Sequence, residues 1–178
     1  MTLDTLKESI PDYARDLRLN LGTVLSTQGS PGLSDVQIWS VALATAIAAR
    51  NVEFARGLET LAQEKLDTAH LNAARAAAAI MGMNNVYYRF LHLVEDREYQ
   101  TLPARLRMNV LGNPGIAQDD FELLSLAVSA VNGCGLCITA HERKLREHGV
   151  SREAIQSAVR IASTIHAVAG TLAFERAA

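Results

Sequence analysis

The chain of 178 residues carries 17 Lys and Arg against 19 Asp and Glu, a formal charge of −2 with both signs scattered throughout. That length suits one compact domain or two small, closely packed halves, and the charge balance gives no footprint for nucleic acid or an anionic membrane. The opening Met1-Thr2-Leu3-Asp4 argues against a secretory signal, and the apolar runs Val41 to Ala49 and Ala76 to Met83 fall short of the ~18 residues a spanning helix needs. Two cysteines without an export signal point to the reducing cytoplasm, where such a pair is more often catalytic or metal-binding than structural.

Alanine and leucine dominate, aromatics are few, and no stretch of alternating β-branched residues occurs, so an all-α fold is expected. Ser34 with Gln37 has capping-box spacing and opens a helix with Val36, Trp39, Leu43 and Ile47 at helical period. Asn51 caps a second, carrying Phe54, Leu58 and Leu61. Asp67 or Thr68 begins a long Ala-rich helix through Met83 to about Leu93. Pro103 suits the first turn of a shorter helix that Asn113-Pro114-Gly115 ends. Asp119 or Asp120 starts a helix bearing Glu122, which Gly133 interrupts. Asn132 is the expected cap of the next helix, which runs to about His148 with Gly149 as C-cap; Ser151 caps a last helix into the mid-170s.

A faint repeat runs at an offset of 84: Leu43-Ala44-Thr45-Ala46-Ile47 lies over Ala127-Val128-Ser129-Ala130-Val131, and Leu61, Leu71 and Ala78 lie over Leu145, Ile155 and Ala162. The expectation is a single domain, 1–178, of two related helical halves, about 34–95 and 118–178, sharing one core. Two Ala-rich amphipathic helices also align by composition alone. The first half has Arg50, Glu53 and Gly57 where the second has Cys134, Cys137 and His141, so only the second carries reactive chemistry.

Both cysteines fall in Cys134-Gly135-Leu136-Cys137, with His141 four residues on. Residues three and four apart share a helix face, so Cys134 faces Cys137 and Cys137 faces His141. Mid-helix Cβ atoms at that spacing stand roughly 5–6 Å apart, whereas a disulfide wants about 3.5–4.5 Å. The pair therefore closes most easily in a deformable first turn, which Gly133 and Gly135 supply. Helix-terminal amides and a histidine base are expected to depress the Cys137 pKa and make it the attacking thiolate. Cys134 then resolves a sulfenic acid or mixed disulfide on Cys137. A histidine base works best when a second group fixes its tautomer; Glu122 is that group, directly or through a water. A zinc site built from the same four residues is the competing arrangement. His166 reads as a core histidine, His70, His92 and His148 as surface residues, and Met81 to Met83 as core packing.

At these residues the sequence resembles the alkyl hydroperoxide reductase D (AhpD) family within the carboxymuconolactone decarboxylase-like superfamily. Glu122, Cys134, Cys137 and His141 match its glutamate, eleven residues, CxxC, three residues, histidine pattern. Ile80-Met81-Gly82-Met83-Asn84-Asn85-Val86-Tyr87, Leu106-Arg107-Met108-Asn109 and Asn113-Pro114-Gly115 are similar too. The resemblance implies a multi-helical bundle, commonly a homotrimer, that reduces organic hydroperoxides weakly by itself and has no tightly bound cofactor or metal. It implies dihydrolipoamide on a dihydrolipoyl acyltransferase as electron donor and the peroxiredoxin AhpC as acceptor. It also implies that Cys137 forms the sulfenic acid, that Cys134 is proton donor and disulfide partner, that His141 is the base, and that Glu122 orients His141 and relays protons. Leu136 departs from the family, which often has histidine there, and this predicts a less acidic thiol or one tuned mainly by His141 and the helix amides, with weaker peroxidase activity or a different partner. A lyase or small-molecule binder on the same scaffold, and a redox or metal sensor without turnover, are the alternative functions.

Overall fold

The computed structural model describes residues 2–176. Met1, Ala177 and Ala178, the ends of the expected single domain, lie outside the described residues. The chain folds into α1 (Leu3–Glu8), α2 (Arg15–Val24), α3 (Asp35–Ala48), α4 (Val52–Ala62), α5 (Thr68–Leu93), α6 (Gln118–Asn132), α7 (Gly135–Glu147) and α8 (Arg152–Arg176). Short 3-10 turns at Asp12–Ala14, Arg97–Thr101 and Asn109–Leu111 complete it, and no strand occurs among the described residues. The fold is all-α.

Helices α3 and α6 form the centre. Every residue from Ile38 to Ala46 and from Phe121 to Ser129 is buried, so neither helix has a polar face. The Ala-rich α5 and α8 pack on both, their small side chains letting the axes approach closely. α4 and α7 lie outside this layer, and α1 and α2, which periodicity did not reveal, close the bundle beside α8.

The caps explain most helix starts. Ser34 and Gln37 make the reciprocal box at 3.2 and 2.9 Å, and Asn51, Asp67 and Ser151 accept from Phe54, His70 and Ala154 N–H groups. Helix α6 starts without one: Ala117 precedes it, and Asp119 and Asp120 lie inside the first turn, where their charge favours the helix dipole. The helix expected after Pro103 does not form. Leu102 before the proline is extended (ψ 138°), and Arg105 takes a left-handed φ of 51°, which breaks any helical run.

The long helix α8 is apolar without being one continuous apolar run. Arg152–Glu175 is long and apolar enough by length and composition to cross a membrane, with 50% of its most apolar window buried inside the protein. Arg160, Ser163 and His166 interrupt the run in sequence, while Ile161, Ile165, Val168 and Leu172 join the core. His166 is exposed on this helix, not a core residue.

Candidate active site

The junction between α6 and α7 sets the cysteines. Gly133 adopts φ 68°, a left-handed conformation that glycine reaches without penalty, and closes α6. Its N–H donates to Ala130 O and the Cys134 N–H donates to Ser129 O. Cys134 then serves α7 as its N-cap: its Sγ accepts the Cys137 N–H at 3.4 Å, and its carbonyl accepts from Ile138. One residue finishes one helix and begins the next. Asn132, expected as the cap, instead donates to Asn85 Oδ1 at 2.9 Å.

Both cysteines are free and buried, Cys134 at 0% exposure and Cys137 at 6%. Cys137 lines a cavity of about 310 Å³ with Met81, Asn84, Tyr88, Met108, Leu111, Leu136, Ala140 and His141. Cys134 lies behind it. The cavity also takes in Tyr88, which carried no signal in sequence, and Met81, whose buried side chain does double duty as core and wall.

His141 Nδ1 stands 2.6 Å from Glu122 Oε2, a direct contact. Lys144 Nζ donates to the other oxygen at 2.6 Å, and Gln118 Nε2 to the same atom at 3.1 Å. Burial alone would raise the Glu122 pKa, but the hydrogen bonds from His141 and Lys144 outweigh it and hold the carboxyl at about 2. An ionised carboxylate only accepts, so His141 Nδ1 carries the hydrogen and Nε2 is the basic nitrogen of the neutral ring. Lys144 and Gln118 were not read from sequence, although His141 with Lys144 and Glu122 with Gln118 have spacings that share a helix face.

The expected acidic Cys137 is not what the fold produces. Burial pushes its thiol up to about 12, and a hydrogen bond with the Cys134 thiol adds to the rise; the Asn85 amide opposes both. The Cys137 amide in the first turn of α7 donates to the Cys134 sulfur, and the His141 ring bonds Glu122 rather than either sulfur. Among the described residues no group of three or more His, Cys, Asp and Glu is placed to hold a metal ion, so the zinc arrangement is not assembled.

A reduced dithiol inside an all-helical frame, beside an apolar cavity, marks the class: the profile of the carboxymuconolactone decarboxylase family matches residues 97–178, which contain the whole cluster. Over nearly its full length the chain is similar to proteins named alkyl hydroperoxide reductase AhpD. That of Rhodospirillum centenum is 57% identical over 178 residues, 99% of this chain and 94% of that protein. Those of Frankia alni and Streptomyces coelicolor are 58% and 54% identical over 172 residues, 97% of this chain and 91% and 95% of theirs. The chain belongs to the AhpD family.

Proposed function

We propose that the protein is a thiol-dependent peroxide reductase that reduces alkyl hydroperoxides with the Cys134–Cys137 pair. The observation that carries this reading is the placement of Cys137 alone on the cavity wall beside His141, with Cys134 within hydrogen-bonding reach behind it. In it, Cys137 is the attacking sulfur and Cys134 the resolving one. His141 takes the Cys137 proton on Nε2, across a water or by a small shift of the ring, while Glu122 and Lys144 hold the ring's orientation and balance the imidazolium that forms. The sulfur attacks the terminal peroxide oxygen and becomes a sulfenic acid. Cys134 then condenses with it, releasing water and leaving a disulfide.

A dithiol donor restores the pair by exchange. A protein-borne dihydrolipoyl group fits that role in this reading, since its own two thiols leave as an intramolecular disulfide. AhpC is the partner to which the reduced pair passes electrons, a homotrimer the assembly and the cytoplasm the compartment. The relatives' name supports the first part of this reading and family resemblance the rest.

Turnover of an organic hydroperoxide with dihydrolipoamide as donor tests it. The wild type is expected to turn over, and Cys137→Ser to lose essentially all activity. Equal rates for the two would overturn the sulfur mechanism.

A further inference from the structure

Met81, Asn84 and Tyr88 stand at helical spacing on the α5 wall of the cavity that Cys137 and His141 share. Two of them suit an apolar wall. Asn84 does not: it is 3% exposed, and its Oδ1 is buried without a hydrogen-bond partner among the described residues. A buried amide oxygen left unmatched costs stability, and of the buried groups without a partner among the described residues Asn84 alone belongs to this cavity's lining. The next residue shows the contrast. Asn85, 1% exposed, donates to Ser129 Oγ and accepts from Asn132 Nδ2, both at 2.9 Å.

We propose that Asn84 Oδ1 accepts the O–H of a bound organic hydroperoxide and thereby turns the terminal peroxide oxygen toward the Cys137 sulfur. The inference rests on the peroxide-reducing function above and adds the group that reads the substrate. The hydrogen on the terminal oxygen is the single strong donor an alkyl hydroperoxide has, and that oxygen is the one the sulfur attacks. A turn of the Asn84 side chain toward the cavity presents this acceptor and orients the reacting atom while the organic group rests on Tyr88, Met108, Leu111 and Leu136.

The step balances. The Cys137 thiolate gives an electron pair to the terminal oxygen, the S–O bond forms and the O–O bond breaks. Sulfur is oxidised to sulfenic acid, and the peroxide is reduced to an alkoxide that leaves as the alcohol with the proton His141 holds. The hydrogen facing Asn84 stays on the oxygen now bound to sulfur, so the contact persists through the reaction. A disulfide oxidant has no such hydrogen and draws nothing from Asn84.

Stopped-flow oxidation of the reduced protein separates these cases, using cumene hydroperoxide in one arm and an aryl disulfide dye in the other. In Asn84→Leu the ratio of hydroperoxide to disulfide rate constants is expected to fall about tenfold, the worth of one hydrogen bond. Its Tm is expected to rise, because an unmatched buried oxygen has gone. Asn84→Ala is expected to lower the same ratio, which separates the missing acceptor from added bulk. A ratio unchanged in both variants would overturn the proposal, as would a parallel fall in both arms with a lower Tm. A wild type that reacts with the dye and not with the hydroperoxide would overturn the function proposed above, and this contact with it.

Discussion

Cys137 shows how far burial outweighs sequence position at the scale of one residue. Spacing puts a histidine one turn away, yet desolvation pushes the thiol up to about 12. Alkylation by iodoacetamide, which consumes thiolate, is therefore expected to be slow at neutral pH and to climb only above pH 9. Asn85→Ala, which removes the amide favouring the thiolate, is expected to slow it further. A plateau reached below pH 8 would contradict this ordering. The same shift lowers stability at high pH: from its ordinary value of 9.0 upward the unfolded chain ionises first, and the folded state loses ground until about pH 12.

Glu122 moves the other way. Held at about 2 against an ordinary 4.5, it contributes stability that is complete above pH 4.5 and is lost as pH falls toward 2. Glu122→Gln is expected to cost roughly 2–3 kcal/mol at pH 7 by urea denaturation, at or below the usual cost of breaking a buried ion pair because Lys144 is half exposed. The gap from wild type is expected to narrow as pH falls toward 2. Spacing put Cys134, Cys137 and His141 on neighbouring turns and raised Glu122 as a partner for His141, while the direct 2.6 Å contact comes from how α6 and α7 pack. The acidity of Cys137 was not legible, because desolvation depends on what α5 and α6 place around it.

At the scale of elements, small polar residues before apolar periodicity located four helices well: Ser34, Asn51, Asp67 and Ser151 each cap where expected. α1 escaped notice because its box pairs Thr2 with Thr5, without the Glu or Gln that usually marks such a start. Pro103 misled because a proline fits a first helical turn and a loop equally well, and only the left-handed Arg105 decides between them. Gly133 was legible as a break, and its role is stronger than that. Gly133→Ala has open space for its Cβ, so the cost is backbone strain alone, about 1–2 kcal/mol. Such a variant is expected to melt earlier and to form the Cys134–Cys137 disulfide more slowly, measured by free-thiol loss after a peroxide pulse. Unchanged thiol loss would detach the turn from the chemistry.

At the scale of the molecule, α3, α4 and α5 run 14, 11 and 26 residues, and α6, α7 and α8 run 15, 13 and 25. We propose that the two trios descend from one duplicated unit within a single domain, and that matching order of lengths supports it. On the outside, Val86, Phe90 and Leu93 form an exposed apolar stripe along α5, with Tyr99 and Leu102 beyond. A homotrimer would use such a stripe. Light scattering is expected to give about three times the 19.3 kDa chain mass, and Phe90→Glu to give smaller species. A wild type that remains at the chain mass would remove the trimer from the reading.

The double duty of Cys134 has a mechanical consequence. Its sulfur is the latch on the first turn of α7, and a sulfur drawn into a bond with Cys137 can no longer sit where the Cys137 amide wants it. Closing the pair is therefore expected to loosen the first turn of that helix, and faster amide exchange at Cys137 in the oxidised protein would report it. Electron transfer and a local change of shape would then be one event, felt by whatever docks there.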